Sequence, residues 1–341
     1  MRRNSLAFGR QITDSWKGRY GMGDIAHISG RVLEETEKII VGKRDKIRLI
    51  IMAVLAGGHV LLDDLPGVGK TTLLKTLSIA LGCTSKRVQF VPDLLPSDIC
   101  GMKIYNQKTG DFQVVEGPVM TNLLLADEIN RAIPRTQSAL LEAMEERQVT
   151  IDAETLPLPK PFLVLATENP VESESTFRLP AAQMDRFLIR LSLGYPAAEE
   201  ETRMLQNLGD RIPFETVETV TCAEELMKLQ DQAAQVYVSD AVAAYIVALA
   251  GATRSHADLS MGASPRGSRG LYRAAKVWAA MEGRDYVTPD DVQYLAVPVL
   301  SHRLLLTGQA RFSGKSAESV VREVLSSVEV PPRTEEMFRG R

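Results

Sequence analysis

The chain has 341 residues, 45% hydrophobic and 24% charged, with a formal net charge of -3. This composition fits a globular protein with more than one domain and gives no general attraction to nucleic acid or to an anionic membrane. No apolar stretch reaches the ~20 residues that span a bilayer, and no apolar segment of a secretory signal follows Met1-Arg2-Arg3-Asn4. Cys83, Cys100 and Cys222 lack metal-ligand spacing and read as reduced thiols of a cytoplasmic protein.

Residues 1–24 are polar and glycine-bearing and read as a tail. A helix is predicted from Ile28 to Ile40, leading into Val41-Gly42-Lys43. Apolar runs at Val60–Leu62, Val88–Val91, Leu123–Ala126, Phe162–Ala166 and Phe187–Leu193 read as buried strands. Helical patterns lie between them, one from Gln137 to Arg147. Short continuous apolar strands alternating with helices imply an α/β fold with a parallel sheet covered on both faces. Two stretches interrupt that alternation as hairpins, 102–116 and 148–158, with turns at Lys108-Thr109-Gly110-Asp111 and near Asp152-Ala153-Glu154. After Tyr195-Pro196 the strands stop. Stripes such as Val242, Tyr245, Ile246 and Leu249 mark helices. Thr288 and Pro289 mark an N-cap and first helical position. The predicted domains are an α/β unit over 25–194, a helical lid over 195–312, and a C-terminal helix and tail over 313–341. Val330-Pro331-Pro332 ends any last helix.

The chemistry concentrates after the first strand. Asp63-Asp64-Leu65-Pro66-Gly67-Val68-Gly69-Lys70-Thr71 joins Val60-Leu61-Leu62 to a helix that continues through Thr72. Strand, glycine-rich loop, Gly-Lys-Thr and helix form the layout of a P-loop, although Asp64 stands where the general pattern carries its first glycine. Backbone N–H groups of such a loop and the helix dipole bind phosphate oxygens. Lys70 reaches the terminal phosphates and the Thr71 hydroxyl takes Mg²⁺. Leu123-Leu124-Leu125-Ala126-Asp127-Glu128 supplies the second half: Asp127 suits the metal, and Glu128 suits polarisation of the attacking water. Asn169, after a third strand, suits a contact to the γ-phosphate or the water. Arg186 and Arg266 suit stabilisation of the developing charge, Arg266 by closing the second domain onto the nucleotide. For either arginine alone, a surface ion pair is the simpler reading.

These segments in this order resemble the MoxR family of AAA+ ATPases. The resemblance runs from about residue 28 to 305. It rests on the 57–71 segment, Gln89-Phe90-Val91-Pro92-Asp93-Leu94-Leu95-Pro96, Glu116-Gly117-Pro118-Val119 and Asp127-Glu128-Ile129-Asn130-Arg131-Ala132. Ala166-Thr167-Glu168-Asn169-Pro170, Leu179–Phe187 and Gly262-Ala263-Ser264-Pro265-Arg266 complete it. Asp64 in the loop is itself similar to MoxR proteins. Phe177-Arg178 and Ser175 depart from the usual pattern beside the expected subunit interface.

The resemblance implies an AAA+ core followed by an all-α lid. It implies Lys70 and Thr71 as Walker A, Asp127 and Glu128 as Walker B, Asn169 as sensor 1, Arg186 as arginine finger and Arg266 as sensor 2. Val41 and Gly42 line the adenine pocket. With Pro66, Gly67, Val68, Gly69, Thr72 and Asp127 they complete the expected nucleotide shell, and Thr71 and Asp127 hold the metal. The hairpins match two inserts that face a ring's pore. ATP and Mg²⁺, a hexameric homo-oligomer, a partner with a von Willebrand factor A domain, and chaperone-like maturation of protein complexes with metal or cofactor insertion follow as expectations. Alternatives are a magnesium-chelatase-like ATPase subunit and a nucleic-acid-associated motor. The net charge and the absence of a basic, aromatic-studded segment argue against the motor.

Overall fold

The structure, a computed structural model, describes residues 22–64, 67–152, 154–168, 177–208 and 212–332. The expected roles of Pro66 and Asn169, the departure at Ser175, and the tail segments 1–21 and 333–341 lie outside the described residues.

The α/β part runs α1 (Met22–Glu37), α2 (Arg44–Leu55), β1 (His59–Asp63), α3 (Lys70–Ala80), β2 (Ser85–Gln89) and α4 (Pro96–Cys100). The first hairpin, β3 (Gly101–Asn106) and β4 (Asp111–Glu116), precedes β5 (Leu123–Asp127) and α5 (Pro134–Glu146). The second, β6 (Gln148–Ile151) and β7 (Glu154–Pro157), leads to β8 (Leu163–Glu168), α6 (Ala181–Met184) and β9 (Phe187–Leu191). The helical part has α7 (Ala198–Leu208), α8 (Ala223–Ala233), α9 (Asp240–Arg254), β10 (Leu259–Met261) and α10 (Pro265–Met281). It ends with α11 (Pro289–Leu300), β11 (Leu305–Leu306), α12 (Gly308–Phe312) and α13 (Ala317–Ser327).

Five strands pair in parallel in the order β2-β5-β8-β1-β9. Alternation along each central strand feeds two cores. Val60, Leu62, Leu123, Leu125 and Leu165 pack with α1–α3 and the helical part, whereas Leu61, Leu124, Ala126 and Val164 pack with α5, Phe90 and Ile99. The helix stripes are those the spacing predicts. In α2, Ile47, Ile50, Ile51 and Val54 are buried at i, i+3, i+4, i+7. Thr288 caps α11 with a capping box through Asp291.

Several expectations are corrected. The strand placed at Val88–Val91 is Ser85–Gln89, a largely solvated edge strand without an apolar run. The first helix starts at Met22, because its buried stripe begins at Ile25 and continues through Val32 and Leu33. Residues 22–24 are therefore helix, not tail. The lid is not purely helical, since β10 and β11 form a two-stranded antiparallel sheet. Nor is the lid a separate core: α10 and α11 share one continuous apolar cluster with α1, α2 and β9.

Candidate active site

The phosphate-binding end is built on the C-terminal edge of β1. Gly67 and Gly69 hold φ of +88° and +86°, a left-handed conformation that costs a side-chain-bearing residue energy. Nothing lies within 4 Å of where a Cβ would stand at either position, so the loop's inner side is open. Gly69 caps α3, whose first residue is Lys70. The Lys70 ammonium is buried, 8% exposed, and among the described residues makes one hydrogen bond, donating to the Asp64 carbonyl at 3.2 Å. Asp127 Oδ1 lies 3.9 Å away. An ammonium has three donors, so two remain for an anion. Thr71 is exposed beside it and Thr72 half-buried.

Asp64 explains its own departure from the general pattern. Its buried carboxylate accepts from Ser192 Oγ (2.6 Å), Leu193 N (2.8 Å) and Gly194 N (2.9 Å). A glycine there would leave the end of β9 unattached. The carboxylate thus fixes the start of the loop to the neighbouring strand.

Asp127 and Glu128 stand at the end of β5, which β8 separates from β1. Asp127 accepts from Thr167 Oγ1 at 2.7 Å and from Arg87 at 2.7 Å. The same Thr167 oxygen accepts from the Glu128 backbone N–H at 2.7 Å. One hydroxyl therefore sets the spacing of both acids. Glu128 has φ +57°, unusual for a residue with a side chain, a strain of about 1–3 kcal/mol. Its carboxylate accepts from Gln89 Nε2 and Arg131, both at 2.9 Å. The acid is held clear of the strand with a defined orientation, as a group that must receive a proton from water requires.

Val41 and Gly42 join α1 to α2. The next residue, Lys43, donates to the Tyr195 carbonyl at 2.8 Å, one residue beyond Gly194, which is bonded to Asp64. The segment therefore lies at the same edge of the sheet as the loop. Gly42 has φ +74°, and the Glu200 carboxylate of α7 occupies the place of a Cβ.

The two arginines sit elsewhere. Arg186 immediately precedes β9, and Phe187 pairs with His59, the first residue of β1. Lys70 follows the other end of β1. Four strand steps of about 3.3 Å put roughly 13 Å between these edges. Arg266, in the first turn of α10, is at the Arg186 edge: both pair with Glu145, Arg186 at 3.1 Å. The expectation that Arg266 closes the lid onto this chain's own nucleotide is therefore corrected. Packing of α10 on α1 and α2 carries its first turn to the far side of the sheet. The segment at the nucleotide edge is the start of α7.

Comparison with known proteins agrees with this architecture. Residues 59–189 match the profile of the ATPase family associated with various cellular activities (AAA), and 251–324 match the AAA lid domain. The chain is 49% identical to YeaC of Bacillus subtilis, over 90% of this chain and 96% of that protein. It is 42% identical to the chaperone MoxR1 of Mycobacterium tuberculosis, over 92% of this chain and 85% of MoxR1. This chain belongs to the MoxR family of AAA+ ATPases. A crystal structure of a proposed ATPase from Cytophaga hutchinsonii superposes with a TM-score of 0.86 at 37% identity, covering 91% of this chain and 97% of the other.

In this MoxR chain, sequence reasoning missed Thr167, Gln89, Arg87 and Arg131. Their signal was weak: Thr167, Gln89 and Arg131 are ordinary polar residues in segments noted for other members, Arg87 lies just outside one, and only the sheet register brings Val88–Gln89 beside Ala126–Asp127. The donor set fits ATP and Mg²⁺. A buried ammonium with the Asp127 carboxylate 3.9 Å away, open loop glycines and the exposed Thr71 next to Lys70 in the chain converge on one edge. Among the described residues no helix is long and apolar enough to cross a membrane.

Proposed function

We propose that this MoxR ATPase hydrolyses ATP at the β1–β5 edge only when a second copy supplies arginines from its opposite edge. The observation that carries this reading is the segregation of the machinery. Lys70, Asp127 and Glu128 share one edge of the sheet, and Arg186 and Arg266 share the other. Lys70 and the loop amides hold the triphosphate, and Val41 and Gly42 face the base. Thr71 and Asp127 would hold Mg²⁺, which neutralises phosphate charge. Glu128 accepts a proton from the attacking water, and Asn169 orients that water or the γ-phosphate. Arg186 of the next copy meets the developing charge, with Arg266 beside it. A closed ring, hexameric by family resemblance, gives every site such a neighbour.

The work done is remodelling of a protein client, as the name of MoxR1 suggests for that relative. Met102, Ile104, Tyr105, Phe112 and Val115 expose apolar surface on the first hairpin, Phe112 at 70%. A groove of about 520 Å³ lies between α4, α5 and the first strand of the second hairpin, with Gly101 and Met102 at the base of the first hairpin on its rim. Exposed apolar surface of this kind favours protein contact. On this proposal the surface would receive a client or a partner with a von Willebrand factor A domain, with maturation or metal insertion as the outcome.

The test measures hydrolysis per chain against protein concentration. The rate is expected to rise with concentration, to vanish in Glu128→Gln, and to fall about 100-fold or more in Arg186→Ala, with assembly retained. A concentration-independent rate, or an Arg186→Ala ring as fast as the parent, would sink the shared-site reading.

A further inference from the structure

Arg186 and Arg266 are the rim of a larger cationic cavity. It measures about 320 Å³, at the small end for ligand sites. Six guanidinium groups line it (Arg147, Arg186, Arg266, Arg269, Arg273 and Arg303) against two carboxylates, Glu145 and Asp185, an excess of four positive charges. His59, also in the lining, adds none. Burial, then the nearby Arg147 charge, holds its pKa well below the ordinary histidine value.

The six differ in what they already do. Arg303 is bonded to Asp185 and to the Leu188 and Phe187 carbonyls. Arg147 is bonded to the Gly57 and Phe162 carbonyls. Those two are structural, and burial pushes each down to about 10. Arg186 and Arg266 share the single carboxylate of Glu145, and Nε of Arg186 is buried without any acceptor. Arg269 and Arg273 have no hydrogen bond or ion pair among the described residues. The guanidinium groups of Arg269, Arg147 and Arg303 crowd Arg273. Arg273 reaches solvent, yet partial desolvation by the cavity wall, then the Arg269 charge, lowers its own pKa. Positions 266, 269 and 273 fall on one stripe of α10, over about 10 Å. Arg269 and Arg273 are exposed in the single chain, so their donors are free for a multivalent anion that approaches this face, and charge-assisted bonds to it would offset the crowding.

We infer that Arg269 and Arg273 extend the arginine-finger face into a polyphosphate-binding site, filled by the phosphate chain of the nucleotide that a neighbouring copy carries. This inference rests on the shared-site reading above and adds two residues to it. The guanidinium pair would bind several phosphate oxygens at once, and Arg186 Nε would find its missing acceptor.

A mixing experiment separates the two claims. One chain carries Arg186→Ala and keeps its P-loop. The other carries Lys70→Ala and keeps its arginines. Hydrolysis restored on mixing is expected from the shared-site reading. Adding Arg273→Gln, or Arg269→Gln with Arg273→Gln, to the Lys70→Ala chain should cut the restored rate at least 10-fold and raise the KM for ATP. Arg273→Lys should recover part of it, and light scattering should find the mixed assembly intact. If no mixture restores hydrolysis, the shared-site reading fails and the inference with it. If restoration is unchanged by the Gln variants, the inference alone is overturned. A further arm titrates inorganic tripolyphosphate calorimetrically into the Lys70→Ala chain, diluted to its monomer. Weak binding, in the millimolar range, is expected. Tight binding abolished by Arg273→Gln would assign the cavity to a free anion and overturn the neighbour as the source.

Discussion

Asp64→Gly would restore the first glycine of the general P-loop pattern, and it is expected to do harm. The carboxylate accepts three hydrogen bonds from the end of β9. Leu193 is buried, so its N–H loses its partner with no ready access for water, about 1–3 kcal/mol. Ser192 is exposed and Gly194 half-buried, so water replaces much of what they lose. Added backbone freedom costs roughly 0.5–1 kcal/mol more. The total is about 3 kcal/mol, or very roughly 6–12 °C in Tm if the unit melts like a domain of 150–250 residues. The Asp64 carbonyl also receives the Lys70 ammonium, so nucleotide affinity should fall as well. Urea unfolding followed by circular dichroism, with and without ATP, measures both effects. Asp64→Asn keeps one acceptor oxygen and should lose about half as much. An Asp64→Gly protein as stable as the parent, with equal affinity for ATP, would refute the assignment of Asp64 as the anchor of the loop.

Other consequences are as direct. Thr167→Val removes the hydroxyl that spaces Asp127 and Glu128, so hydrolysis should drop about 100-fold while ATP binding stays within a few-fold. An unchanged rate would mean that the hydroxyl only decorates the site. Stability should fall on acidification from pH 7.5 to 5.5. Burial is the first cause that holds both His59 and His302 well below the ordinary value of 6.5, so near pH 6 the unfolded chain binds protons that the folded chain refuses. Each histidine contributes stability that is present above about pH 6.5 and lost below it, on the order of 1 kcal/mol each at pH 5.5. A flat urea midpoint across that window would contradict the two neutral rings. Gly117→Ala brings a Cβ to 2.1 Å from the Ile99 carbonyl and should destabilise the first hairpin by about 1–3 kcal/mol. Gly30→Ala, inside α1 with nothing within 4 Å, should instead stabilise by about 0.5–1 kcal/mol. Equal melting of the two variants would undo that contrast.

What the sequence disclosed follows from how local each determinant is. The β1 strand, the Gly67–Thr71 loop, the paired acids and the cap at Thr288 are written in contiguous residues, and all are present as read. Both hairpins were legible because turn residues separate short strands. The edge strand β2 was misplaced for a physical reason. Apolar runs identify strands covered on both faces, whereas Ser85-Lys86-Arg87 is largely solvated and pairs with a single strand, β5, at the edge of the sheet. The lid's small sheet was missed on similar grounds, since its strands are only three and two residues long.

The site was harder to read wherever function depends on register. Thr167 matters because β5 and β8 pair so that Ala126 faces Ala166 and the next residues converge. No spacing within either segment contains that fact. Arg266 is the sharper case. A serine-proline-arginine at a helix start identifies an arginine presented at an N-terminus, but the edge of the sheet it reaches is fixed by α10 packing on α1 and α2. Those helices lie more than two hundred residues earlier in the chain. The ion pair that sequence reasoning preferred for each lone arginine does exist, and both arginines make it with the same carboxylate, Glu145. A carboxylate shared by two guanidinium groups, beside two more without partners among the described residues, leaves positive charge in excess on this face. Under the proposed shared site, that excess is what meets the anion chemistry at the opposite edge of a second molecule.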